Sequence, residues 1–138
     1  MIRYLTAQEV IFLHDKALAA TGGIQGIVNV GLLESAVENA KATFEGQDLF
    51  PDLESKCAAT VFSLIQNHPF ADGNKRTGAY VLLMMLELNE RRRAALDAGV
   101  ERVIMAVAGG AMTRDELDNW LRLVLTPALE SETLKCER

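Results

Sequence analysis

Cysteine is scarce in this chain, with Cys57 and Cys136 the only two in 138 residues. So few thiols exclude a disulfide-stapled scaffold, and both read as reduced and structural. Histidine is equally rare, and His14 and His68 stand too far apart to show metal-ligand spacing, which argues against zinc. His14 follows Val10 and Ile11 at helical spacing and reads as a packing residue. Long apolar runs are missing: the longest, Ala79 to Leu86, is far below the ~18 residues that cross a bilayer. Met1 to Thr6 turns polar at once and offers no signal-peptide core. The expected compartment is the cytoplasm, with no membrane partner. Positive charge is in deficit, 14 Lys and Arg against 19 Asp and Glu, for a net charge of −5. No global basic face invites nucleic acid, and Arg91-Arg92-Arg93 reads as a solvated helix end. Any phosphate chemistry must draw on local positive charge.

What is present describes one helical domain over residues 1–138, its core approximately 4–125 and its tail, 131–138, polar. Hydrophobic residues make up 49% and charged residues 24%, values of an ordinary globular protein. Thr6-Ala7-Gln8-Glu9 is a capping box that starts a helix running to Thr21, where Gly22-Gly23 stops it. After a glycine-containing loop, Gly23 to Asn29, apolar residues at Leu32, Leu33, Ala36, Val37 and Ala40 predict a second helix fading at Phe44. Phe44 to Pro51 alone looks extended and predicts a short hairpin or flap. A third helix opens after Asp52, carries Leu53, Cys57, Val61, Leu64 and Ile65 inward, and ends near Asn67 ahead of His68-Pro69. Gly78 to Leu88 is apolar on all sides and predicts the buried centre of a bundle, closed by Asn89. A further helix is expected over Gly99–Ala108. A last one is announced by the capping box Thr113-Arg114-Asp115-Glu116 and runs to about Leu125, with Trp120 in the core. The expected fold is all-α, about six helices with one hairpin-like flap.

Polar function concentrates in His68-Pro69-Phe70-Ala71-Asp72-Gly73-Asn74-Lys75-Arg76-Thr77. The segment lies between an amphipathic helix and a buried one. A helix beginning here presents free N–H groups at Gly73, Asn74 and Lys75, which favour an anion. Gly73 allows close approach of the backbone to a phosphate. Lys75 and Arg76 add a point charge and a bidentate fork. Asp72 would repel a bare phosphate, but suits Mg²⁺ bridging to it or an acceptor hydroxyl. His68 supplies an imidazole that can take a proton from that hydroxyl. Taken singly, each piece has a plainer reading: a helix-capping histidine, a common turn, solvated surface charges. Together they complement one another as parts for phosphoryl or nucleotidyl transfer.

The segment resembles the Fic/Doc motif, H-x-F-x-(D/E)-G-N-(G/K)-R, at all seven fixed positions: His68, Phe70, Asp72, Gly73, Asn74, Lys75 and Arg76. Gly22-Gly23, Gly26 and Gly31-Leu32-Leu33-Glu34-Ser35-Ala36 resemble the Doc, or death-on-curing, branch. The resemblance spans approximately Tyr4 to Leu125. It implies that His68 is the general base, that Asp72 handles Mg²⁺ or the acceptor hydroxyl, and that Phe70, Gly73, Asn74, Lys75 and Arg76 form the nucleotide-binding set, with ATP as substrate. It also implies a target-positioning flap, assigned to Phe44, Glu45, Gly46, Gln47, Asp48, Leu49 and Phe50, which would pair with the acceptor as an added strand.

Two departures set the expected chemistry. Lys75 stands where AMP-transferring members have Gly, and Ala79 stands where they have a second Arg. In Doc-like members these departures accompany γ-phosphate transfer to a threonine of elongation factor Tu, which stops translation. AMP or UMP transfer on the same fold, and a non-catalytic antitoxin-binding module, are the alternatives. An inhibitory (S/T)-x-x-x-E-(G/N) motif is only partly matched by Thr133 to Glu137, since Arg138 follows. A separate antitoxin, bound in a groove beside the site, is the expected restraint.

Overall fold

The computed structural model describes residues 1–126. Six helices and one hairpin follow in chain order: α1 Ala7–Thr21, α2 Val30–Asn39, β1 Thr43–Phe44, β2 Gln47–Asp48, α3 Leu53–Asn67, α4 Asn74–Leu88, α5 Ala94–Ala108 and α6 Arg114–Val124. The all-α expectation with a hairpin is met. Cys136 and the Thr133–Glu137 match lie outside the described residues, as does the polar tail. Among the described residues, no helix is long and apolar enough to cross a membrane.

The helix starts follow their capping chemistry. Thr6 and Thr113 each accept from the backbone N–H three residues on, and Glu9 and Glu116 return the bond to the cap residue's own N–H. Asp52 and Ser55 form the same box at α3. Arg122 of α6 then reaches Asp52 with both terminal nitrogens at 2.8 Å, and its Nε lies 2.9 Å from Asp118. Chiefly through the Arg122 hydrogen bonds, the Asp52 carboxyl is held well below the usual carboxylate range.

Two boundaries and the burial of one helix differ from the sequence reading. α2 ends at Asn39, because the chain needs residues 40–44 to turn into the hairpin, where Thr43 pairs with Asp48 and Phe44 with Gln47. α5 starts at Ala94, five residues ahead of Gly99, with the arginines before it as its entry. Arg91 pairs with Glu54 and Arg92 with Asp97, so that basic stretch is bound up in surface ion pairs. α4 is central but not wholly enclosed: Val81, Leu82, Met85 and Leu86 are buried while Met84 reaches solvent. Trp120 is half-buried at the core's edge, its ring against Gly99.

α3 is the hub, packed on α2, α4, α5 and α6, while α1 lies across α4. Cys57, Val61, Leu64 and Ile65 of α3 share one buried core with Val81, Leu82, Met85 and Leu86 of α4. Each such side chain contributes about 1.5–3 kcal/mol when removed from water. Burial in this layer pushes the Cys57 thiol far up, consistent with an inert structural cysteine. Gly78 sets the α3–α4 distance: a Cβ there would stand 3.0 Å from Ile65 Cγ1. The two helices therefore meet closely directly below the turn that joins them, and that turn carries the motif.

Candidate active site

The turn is built by two left-handed residues. His68 caps α3 at φ 48, ψ 58, which ends the helix, and Gly73 at φ 79, ψ 17 opens α4. Gly73 has no side chain to cap the new helix, so among the described residues the N–H groups of Asn74, Lys75 and Arg76 have no partner. Three amides, the positive end of the helix dipole and two exposed cationic side chains, Lys75 and Arg76, thus face one place. The arrangement fits phosphate oxygens.

Between the two left-handed residues the loop is clasped from inside. Asn74 Oδ1 accepts from the Phe70 N–H at 3.1 Å, and its Nδ2 donates to the Phe70 carbonyl at 2.9 Å. The same Nδ2 lies 3.3 Å from His68 Nδ1. The Phe70 ring is buried, stacked on His14 with centroids 3.8 Å apart and planes 7° from parallel. This corrects the nucleotide-binding assignment of Phe70, whose ring is an anchor turned away from solvent. The side-chain amide of Asn74 is occupied by the loop, which leaves its backbone N–H as the group without a partner among the described residues.

Asp72 is exposed, yet both its oxygens are held. Oδ1 accepts from Gly73 N–H at 2.8 Å and Oδ2 from Ile24 N–H at 3.1 Å, while its backbone carbonyl accepts from His14 Nε2–H at 2.8 Å. The carboxylate is therefore fixed in direction with lone pairs to spare. Among the described residues there is no group of three His, Cys, Asp or Glu that could hold a metal. A lone fixed carboxylate suits Mg²⁺ carried mainly by phosphate oxygens.

The hairpin Phe44–Phe50 is not brought to the site. Asp48 and Ala40 tie it to Lys56 Nζ near the start of α3, at 3.4 and 3.1 Å. His68 lies at the other end of that helix, about 18 Å from Lys56 at 1.5 Å per residue. The flap assignment is corrected accordingly. The segment alongside the motif is the glycine-containing loop after α1. Ala71 N–H donates to Gly26 O at 3.0 Å, Val28 N–H and Asn29 N–H donate to Pro69 O at 2.7 and 3.2 Å, and Ile27 pairs antiparallel with Phe70. Ile24 and Val28 project outward, each 69% exposed. Sequence reading passed over this loop because two residues of pairing leave no alternation to read. The available signal was three branched apolar residues, Ile24, Ile27 and Val28, among glycines.

A cleft of about 550 Å³ extends from the motif between α1, α4 and α5. Asp72 to Arg76 form one end. Leu18, Ala79, Leu83, Val100 and Ile104 wall the remainder with Tyr80 and Glu101. His68 does not line it; the imidazole is exposed and reaches the cleft's rim through Asn74. The site thus has two approaches, an apolar cleft ending in amides and an open face bearing the imidazole.

Residues 4–86 match the family described as Fic/DOC. The chain is 37% identical over 102 residues to a protein named Toxin Doc from Mycolicibacterium smegmatis, covering 74% of this chain and 75% of that one. It is 28% identical over 88 residues to the Protein kinase doc of Escherichia phage P1, covering 64% of this chain and 69% of that protein.

Proposed function

The chain belongs to the Fic/DOC family, on its Doc branch, and from that premise we propose that it is the toxin of a toxin–antitoxin pair, transferring the γ-phosphate of ATP to a protein hydroxyl. The observation that carries this reading is the uncapped start of α4: three unpartnered amides with Lys75 and Arg76, and an imidazole 3.3 Å from the same helix's first residue. These amides and cations hold and neutralise phosphate oxygens. Asp72 would hold Mg²⁺, which supplies charge neutralisation on the phosphates. His68 takes the proton of the acceptor hydroxyl as its oxygen bonds the γ-phosphorus. The bond from that phosphorus to the β,γ-bridging oxygen breaks, and ADP leaves. The nucleoside fits the apolar cleft, and the acceptor reaches His68 from the open face.

γ-Transfer is favoured over AMP transfer by Ala79. It lines the cleft, one helical turn beyond Arg76, and supplies no second guanidinium there. Lys75 also occupies space beside the amides with its own charge. The target-positioning role passes to the 23–29 loop, whose outer edge and exposed Ile24 and Val28 suit an extended acceptor segment. An elongation factor Tu-like protein is the proposed acceptor, a threonine the proposed residue and the cytoplasm the place of action. A helical antitoxin segment would restrain the toxin from the groove beside the motif, a role in keeping with the name of the mycobacterial relative.

Incubation of the purified chain, free of antitoxin, with a cell lysate and ATP labelled at the α or γ phosphate tests this. Protein label from γ alone is expected. Label from α would establish nucleotidyl transfer instead, and no label from either would leave a binding module.

A further inference from the structure

We propose that His14, a buried histidine of α1 outside the motif, is a positioning residue that sets the shape of the anion cradle at the start of α4. It rests on the phosphotransferase reading above. The imidazole is 2% exposed and has one strong polar contact, its Nε2 at 2.8 Å from the Asp72 carbonyl oxygen. Since a carbonyl only accepts, Nε2 carries the hydrogen and donates. Nδ1 lies 3.6 Å from the exposed Asp15 carboxylate. One ring face lies flat on Phe70.

Packing alone does not account for a histidine here. A leucine or phenylalanine would fill the space between α1 and the motif without burying polar nitrogens. What the imidazole adds is a hold on one carbonyl. That carbonyl belongs to the rigid peptide plane joining Asp72 to Gly73, whose other end is the Gly73 N–H. Pinning the oxygen therefore aims the N–H, which donates to Asp72 Oδ1 at 2.8 Å. It also holds the entry into Gly73, whose left-handed φ of 79 turns the next three amides outward.

A second contact acts on the same glycine. A Cβ on Gly73 would stand 3.2 Å from Leu18 Cδ2 and 3.6 Å from His14 Cδ2, so these two residues, one turn apart on α1, form the floor under it. His14 does not line the cleft. It acts through Asp72 and Gly73.

His14→Phe keeps the ring stack and removes the donor, whereas His14→Gln returns an amide nitrogen near the position of Nε2. Backbone amide resonances of Gly73 to Arg76, ADP affinity, and KM and kcat for γ-transfer are measured beside the melting temperature. In His14→Phe the Gly73 and Asn74 resonances should move, and ADP affinity and KM for ATP should worsen about tenfold, with a smaller change in kcat. His14→Gln should recover affinity to within about threefold, the scale of one partly restored hydrogen bond. Unmoved resonances in a folded His14→Phe protein would overturn the proposal, as would equal losses in both variants tracking melting temperature alone. If His14→Phe does not fold, His14→Leu against His14→Gln is read by the same resonances. A wild-type chain that neither binds ADP nor transfers label sinks the phosphotransferase reading, while the resonances still decide the role of His14.

Discussion

Asn74 Nδ2 faces His68 Nδ1 at 3.3 Å, and the direction of that contact is fixed by Phe70. Because the Phe70 N–H must meet Oδ1 and the Phe70 carbonyl must meet Nδ2, the amide cannot be turned over. His68 Nδ1 is therefore the acceptor, and the neutral ring carries its hydrogen on Nε2. The nitrogen free of hydrogen is the one beside Asn74, behind a contact long enough to be displaced at little cost.

His68→Ala should abolish γ-transfer and toxicity, with at least the ~10²–10⁴-fold loss typical of a missing general base. The exposed ring contributes little burial, so the melting temperature should hold or rise. Undiminished growth arrest in this variant would refute the assignment of the base.

Gly23→Ala should be nearly as damaging through Asp72. Gly23 sits at φ 135, and a Cβ there would stand 2.8 Å from both Asp72 Oδ2 and Leu18 Cδ2. The carboxylate would have to leave the Ile24 N–H that holds it. Transfer is expected to fall at least tenfold, with a stability loss of about 1–3 kcal/mol from the strained backbone. A stability loss without any loss of transfer would show that the direction of Asp72 is unimportant.

The two loops can be separated kinetically. Ile24→Ser and Val28→Ser should raise KM for the protein acceptor several-fold without changing KM for ATP. Phe44→Ser, on the hairpin at the far end of α3, should change neither. An acceptor KM that responds to Phe44 and ignores Ile24 and Val28 would return the positioning role to the hairpin.

The motif was legible from sequence because its positions are contiguous and its residue types chemically distinctive. Helix starts were legible for a similar reason: Thr6, Asp52 and Thr113 act within four residues of themselves. Partners distant in sequence left no such trace. The pairing of Ile27 with Phe70 and the hydrogen bond from His14 to Asp72 join residues 43 and 58 apart in sequence. His14 read correctly as a packing residue, yet nothing local showed that it packs under the motif. The hairpin drew the flap assignment because extended character is easy to see in sequence, whereas its distance from His68 depends on the whole length of α3. Phe70 read as part of a binding set because a motif reports which residues recur, and carries no record of which way each one points.

Arg122→Ala tests the anchor at the other end of α3. Asp52 is held below the usual carboxylate range, chiefly by Arg122, so its contribution is complete above about pH 4 and fades as pH falls below that. The pair is partly exposed, and its removal should lower stability by about 1 kcal/mol near neutral pH. The variant should also lose less than the wild type on acidification, measured by urea unfolding at about pH 7 and pH 3. Equal destabilisation at both values would mean that the ion pair contributes nothing there.

The backbone at His68 has a wider consequence. At φ 48 a glycine would sit at ease and a histidine does not, a mismatch of about 1 kcal/mol. Left to stability alone, chance replacement would drift this position toward glycine or asparagine, and under the proposed function the drift would yield a hardier but inactive protein. On the proposed function, an imidazole is retained here only while the chain is selected for what it does to other molecules. A lineage that no longer needed the activity would therefore be expected to relax at this corner before its core changed.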